Sequence, residues 1–118
     1  MVNTARDLAR VGVPVALTVQ VDSVGVHDAQ IPQNVQSAAN FFQHDALTFR
    51  GRTKIFAADP SRTRILGHFQ FSYTLGPVYA SEVSWARRTL GGSHAKMELD
   101  PRVWQQVEQL ILDTIARN

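Results

Sequence analysis

Five acidic and imidazole side chains in the first half of the chain are of types that bind metal ions or move protons. They are Asp22, His27, Asp28, His44 and Asp45. They include no pair of histidines at the one-turn helical spacing used in zinc sites, and the chain has no cysteine to supply a thiolate or a disulfide. We therefore interpret them as polar loop residues and expect no metal and no other cofactor.

Two serines stand beside titratable residues, Ser23 next to Asp22 and Ser93 next to His94. Adjacent side chains on an extended loop point apart, so we expect neither serine to be activated as a nucleophile. On the residues alone, Asp22 is either a turn-forming aspartate at a strand end or a carboxylate that faces His94. In the same way, His94 is either an ordinary loop histidine or a base-like imidazole.

The elements that would position these side chains alternate between helix and strand. Residues Asn3–Arg10 favour a short helix capped by Asn3 and ended by Gly12. The segment Pro14–Asp22 is almost continuously apolar, which is typical of a strand covered on both faces in a parallel sheet. In Gln33–His44 the apolar residues recur at helical spacing, which predicts a second helix.

Two further strands and a last helix complete the predicted order. Arg50–Ala58 and Thr63–Thr74 are predicted strands joined by a turn around Pro60. Asp100 is a good N-cap for the last helix, whose apolar stripe we expect to place Trp104 in the core. This order indicates one α/β domain over residues 1–118, a small sheet with flanking helices.

Composition narrows the class of protein. Hydrophobic residues make up 44% of the 118 residues, as in globular domains, and the net charge of +2 is too small to indicate a polyanion partner. The first residues lack the apolar core of a signal peptide. The longest apolar stretch, Val11–Val21, is too short and too often interrupted for a membrane span. We expect a soluble, cytoplasmic protein.

Four arginines lie close together in the two middle strands, at Arg50, Arg52, Arg62 and Arg64. We interpret them as the solvated face of a cation-rich hairpin. The alternative is a surface that binds phosphate or nucleic acid. We do not expect a nucleic-acid partner, because no aromatic stacking pattern accompanies these arginines.

Six short segments resemble the C-terminal part of α/β-hydrolases of the lipase/esterase type. Val19–Gly25 is similar to the strand and turn that follow the nucleophile half of such proteins, and Ile31–Val35 with Asn40–Gln43 is similar to the loop and helix that come next. Arg50–Arg52 and Ala57–Pro60 are similar to the later strand pair. Gly92–Pro101 is similar to the histidine loop that leads into the last helix. The resemblance spans most of the chain, from Pro14 to Ile115.

The resemblance implies roles for two residues. In such hydrolases a serine attacks an acyl carbonyl, a histidine takes the serine proton, and a carboxylate orients the histidine. Asp22 matches the carboxylate and His94 matches the base. The Gly-x-Ser-x-Gly segment of the nucleophile is absent, and the family's order would put it, with the oxyanion donors, before Met1. Because oxyanion donors alone contribute roughly 10²–10³ in rate, we expect no conventional serine-hydrolase activity from this chain alone.

These observations lead to three functional hypotheses. The first is a non-catalytic, oligomeric binding or interaction protein, derived from the C-terminal part of such a hydrolase, with a pocket near Asp22 and His94 for a small molecule. The second is an ester or lipid hydrolase that retains these two residues, either completed by another chain or using a different nucleophile. The third is phosphate or nucleic-acid binding through the Arg50–Arg64 region.

The first hypothesis includes an oligomeric state. Without the strand that precedes it in the family, the strand Pro14–Val21 would be a bare edge, and such edges pair with other chains. We therefore predict a homodimer, unless the N-terminal helix covers the edge. Tyr79 and Trp85 are further candidates for a binding surface or a contact between copies, with core packing as the alternative.

Overall fold

The computed structural model of the chain describes residues 2–44, 51–73 and 96–118. Its elements are α1 (Val2–Arg10), β1 (Val15–Val21), β2 (Gln30–Ile31), β3 (Val35–Gln43), β4 (Phe56–Ala57), β5 (Arg64–Phe71) and α2 (Pro101–Arg117). β1, β3 and β5 form a parallel sheet in the order β1-β3-β5, and β2 and β4 form a separate parallel pair. The predicted α/β class with a parallel sheet is confirmed.

Two apolar clusters lie on opposite faces of the three-stranded sheet. Val103 and Val107 of α2 pack with Phe41 of β3 in one cluster, in which Phe41 also stacks on Phe69 with ring centroids 4.8 Å apart. The other cluster joins α1 to β3 through the side chains Val2, Ala5, Val35 and Ala38. The layers are therefore helix, sheet and helix, with β3 in the middle of the core.

The predictions for α1 and β1 are confirmed except for the cap. Asn3 lies inside α1, where its side chain accepts a hydrogen bond from Arg6 Nη1 at 2.9 Å, so it is not the N-cap. Gly12 has φ +75°, a left-handed conformation that glycine adopts without strain, and it ends the helix as predicted.

The helix predicted over Gln33–His44 is wrong, because Val35–Gln43 forms the central strand β3. Alternate side chains of this strand enter the two opposite clusters, Ala38 the one under α1 and Ala39 the one under α2. A strand buried on both faces carries apolar residues at irregular intervals, and here the intervals coincide with helical spacing.

The hairpin predicted from Arg50–Ala58 and Thr63–Thr74 is also wrong. Within its described part the first segment has only the two-residue strand β4, which pairs with β2, whereas β5 pairs with β3. The turn between them forms as predicted, and the Ser61 amide donates to Asp59 Oδ1 at 2.9 Å. The two segments do not pair with each other, because β5 runs parallel to β3 in the large sheet. A tight hairpin turn joins only antiparallel strands.

The last helix, α2, begins as predicted. The Asp100 side chain caps it by accepting a hydrogen bond from the Arg102 amide at 2.9 Å, and Pro101 occupies the first turn. The core position predicted for Trp104 is wrong, since this side chain is 45% exposed beside the buried Val103. No helix within residues 2–44, 51–73 and 96–118 has the length and apolar character needed to cross a bilayer.

Candidate functional site

Asp22 lies buried at the carboxyl end of β1, and its side chain is held from two sides. Oδ1 accepts a hydrogen bond from the Gly51 amide at 2.6 Å, and Oδ2 accepts one from Gln43 Nε2 at 2.9 Å. Its φ of +46° is left-handed, a conformation in which aspartate is enriched among non-glycine residues. A fixed, desolvated carboxylate therefore stands at the edge where open parallel sheets build their sites.

Four of the residues predicted to form the site lie outside the described residues: His94, Arg50, Tyr79 and Trp85. Ser23 is described, and its hydroxyl donates to the Asp28 carboxylate, which agrees with its interpretation as a turn residue. Within the described segments, no three histidine, aspartate or glutamate side chains are grouped as they would be around a metal ion.

A groove of about 1030 Å³ runs beside Asp22, between β1 and α2. Its walls are mostly aliphatic and aromatic; they comprise Leu17, Val19, Val21 and Val24 from β1 and the turn after it, and Trp104, Val107, Ile111 and Ile115 from α2. The carboxylate-bearing residues Asp22, Asp28 and Glu98 also line it. An apolar channel with acidic residues in its lining is thus continuous with the carboxyl end of β1.

One flank of α2 extends past the sheet without a strand beneath it in the described part of the chain. Trp104, Ile111 and Ile115 are 45%, 43% and 67% exposed, and all three line the groove. At 100° per residue they lie on one side of the helix, adjacent to the side on which Val103 and Val107 contact the sheet. Contiguous exposed apolar side chains of this kind mark an interaction surface. We call these three side chains the α2 overhang.

The edge of β1 next to the groove has no hydrogen-bonded neighbour among the described residues. At the end of β1 the Asp22 amide donates to Phe41 O at 2.7 Å, and the register with β3 is continuous back to Leu17. Because alternate residues of a strand direct their backbone groups to opposite sides, Leu17, Val19 and Val21 present theirs outward. α1 packs on the face of the sheet opposite α2, where Val2 and Ala5 share a cluster with Val35 and Ala38.

Two polar side chains of β1 contain buried atoms that lack hydrogen-bond partners within the described residues. Thr18 and Gln20 are 3% and 2% exposed, and neither Thr18 Oγ1 nor Gln20 Oε1 makes a hydrogen bond there. The amide nitrogen of Gln20 does donate, to Asp28 O at 2.7 Å. An unsatisfied buried polar atom costs about 1–3 kcal/mol, so each of these two atoms lowers the stability of the fold.

The described arginines of the Arg50–Arg64 region do not form one surface. Arg52 donates to Gly25 O at 3.1 Å and to Val26 O at 2.7 Å, and so fixes the turn after β1. Arg62 contacts Asp59, whose carboxyl pKa is lowered by hydrogen bonds from Ser61. Arg64 begins β5 at the amino end of the sheet, away from the carboxyl end that Arg52 approaches.

A buried network connects the end of β5 to the start of α2. The Tyr73 hydroxyl donates to Asp100 Oδ2 at 2.8 Å, and Arg102 Nη2 donates to the same oxygen at 2.7 Å. Burial opposes ionisation of Asp100, but the hydrogen bonds from Arg102 outweigh it and hold the carboxyl pKa below its usual value. Burial, with the bond to Asp100, raises the pKa of Tyr73. The network therefore joins Tyr73, which follows β5, to the N-cap of α2.

Comparison with known proteins adds no further constraint on this site. The chain matches no protein-family model, no curated protein and no solved structure. The features of the described residues that bear on function are therefore the groove, the edge of β1 that has no partner among them, and the Asp22 carboxylate.

Proposed function

We propose that this chain is an interaction protein that binds a β-strand of another polypeptide along β1, in the groove below α2. The observation that carries the proposal is the α2 overhang, an apolar helix flank beside a strand edge that has no partner within residues 2–44, 51–73 and 96–118. In a layered α/β fold a helix flank of this kind is covered by the next strand of the sheet.

The chemistry of such binding is strand addition. The outward backbone groups of Leu17, Val19 and Val21 would exchange hydrogen bonds with the bound strand, which gives affinity without sequence preference. Every second side chain of that strand would point toward α2, where Trp104 and Ile111 would remove it from water. Since burial contributes roughly 25 cal/mol per Å² of apolar surface, the preferred strand has apolar residues at alternate positions.

Peptide binding tests this proposal. In a panel of nine-residue peptides, those that alternate apolar and polar residues should bind, and scrambled peptides of equal composition should not. Ile111→Lys places a charge in the groove and should weaken binding at least about tenfold, a loss of about 1.4 kcal/mol. Gln105→Lys adds the same charge on an exposed part of α2 outside the groove and should leave binding unchanged. Failure of every alternating peptide to bind would overturn the proposal.

A second candidate function is an acyl hydrolase completed by another chain, and the position of Asp22 favours it. A buried carboxylate at the carboxyl end of a parallel strand, beside an apolar channel, has the placement that a histidine-orienting carboxylate requires. The resemblance to lipase-type hydrolases assigns the base to His94. A strand bound parallel to β1 would end near Asp22 and could bring the nucleophile. The expected result for the isolated chain is the absence of covalent acyl chemistry.

A further inference from the structure

We infer that the strand bound along β1 is β1 of a second copy, antiparallel, with a two-fold axis through Val19. The inference rests on the proposed function of this edge as an acceptor of strands. Three strands from each copy would then form one continuous sheet of six, a common size for sheets in globular proteins.

The backbone pattern of β1 selects the register. Residues that direct their backbone groups outward must face each other in the hydrogen-bonded positions of an antiparallel pair. With the axis at Val19, Val19 faces Val19 of the second copy, and Leu17 faces Val21 of the second copy. These side chains all lie on the α2 side of the sheet, where apolar pairs directly opposite each other stabilise strand pairing.

In the same register Thr18 lies opposite Gln20 of the second copy, in a non-hydrogen-bonded position with Cα atoms about 4.5 Å apart. The side chains of both residues are enclosed within their own copy, so they take no part in the contact between copies.

The apolar surface has the extent that a weak dimer needs. A two-fold axis perpendicular to the sheet keeps both α2 helices on the same face, so each α2 overhang covers β1 of the other copy. In this register the five residues Leu17–Val21 of each copy pair, and together with the exposed parts of Trp104, Ile111 and Ile115 they bury on the order of 1,000 Å² in total, near the lower limit for specific interfaces. We expect reversible dimerisation with a dissociation constant in the micromolar range.

Sedimentation equilibrium of the full chain between about 1 and 200 µM tests the association. The expected result is a single monomer–dimer equilibrium, weakened at least tenfold by Ile111→Lys and unchanged by Gln105→Lys. A monodisperse monomer over this range would overturn the inference. If alternating peptides still bind that monomer, the proposed function survives; if they do not, it fails as well.

A single introduced cysteine tests the position of the axis, since the chain has none of its own. In a hydrogen-bonded antiparallel pair the facing Cα atoms are about 5.5 Å apart, which lies within the range of Cα separations that disulfides bridge. Val19→Cys should therefore form a covalent dimer on mild oxidation. Gln105→Cys, on the outer surface of α2, should not do so at the same rate, and equal rates would overturn the antiparallel register.

Discussion

Gly51 directs its amide at the Asp22 carboxylate, with 2.6 Å between the nitrogen and Oδ1. The approach is so close that a Cβ at position 51 would overlap both the carboxylate and the Asp22 backbone. Glycine at 51 is therefore a steric requirement of the carboxylate's position at the end of β1.

Gly51→Ala should destabilise the fold by about 1–3 kcal/mol, because the turn at Asp22 must move to admit the methyl group. Gly25→Ala is the matched control. The three atoms nearest to a Cβ at position 25 all belong to the end of the Asp28 side chain, which can rotate away at the cost of its hydrogen bond from Ser23. Urea unfolding monitored by tryptophan fluorescence measures both free energies of unfolding. Equal effects of the two substitutions would contradict the role assigned to Gly51.

Acid should destabilise the fold through Asp100. Its pKa is lower in the folded chain than in the unfolded chain, where it is about 3.9, so its contribution is present above that value and is lost as pH falls below it. Asp100→Asn keeps a good N-cap but removes the charge that Arg102 contacts. We expect the variant to be less stable at pH 7 and to lose less stability between pH 5 and pH 2. Parallel pH profiles for wild type and variant would refute this assignment.

Replacing Arg52 should lower the free energy of unfolding, whereas replacing Arg64 should leave it almost unchanged. Removing the two charge-assisted hydrogen bonds from Arg52 to the turn after β1 should cost about 1–3 kcal/mol. Arg64 is exposed, and Arg64→Ala should change stability by no more than about 0.5 kcal/mol. Thermal unfolding compares the variants, and binding of a DNA duplex at low salt provides a separate readout. Tight binding that both substitutions weaken would favour the phosphate-binding hypothesis instead.

The isolated chain should not react with an active-site-directed fluorophosphonate or hydrolyse p-nitrophenyl butyrate. No serine of the sequence lies in a Gly-x-Ser-x-Gly segment, and the Ser23 hydroxyl donates to Asp28 rather than to a histidine. Intact-protein mass spectrometry after incubation measures the label. A stoichiometric adduct that is lost in His94→Ala would show that the chain is a complete hydrolase.

Local signals in the sequence predicted α1, β1 and α2. Asp100 with Pro101 determines the start of α2, and the β-branched run in β1 reflects a strand buried in a parallel sheet. The strand β3 was misread as a helix because both of its faces are buried, so its polarity pattern carries no period of two. Asn40 shows this most clearly, since it is fully buried and its amide donates to Arg52 O at 2.6 Å, a partner distant in sequence.

The candidate site was only partly predictable for the same reason. The position of Asp22 at a strand end followed from the local sequence, but its contacts to Gln43 and Gly51 depend on where other strands lie. Trp104 was expected in the core because the apolar stripe of α2 is continuous. A stripe shows that a helix flank needs covering, but it does not show whether the same chain covers it.

The most direct test of strand addition along β1 is amide hydrogen exchange, resolved by NMR, at low and high protein concentration. We predict that the outward amides of Leu17, Val19 and Val21 exchange rapidly in dilute protein and become protected as concentration rises. The amides of Thr18 and Gln20, directed at β3, should be protected throughout. Strand addition along β1 would be contradicted if the outward amides exchange at the same rate at every protein concentration and also in the presence of alternating peptides.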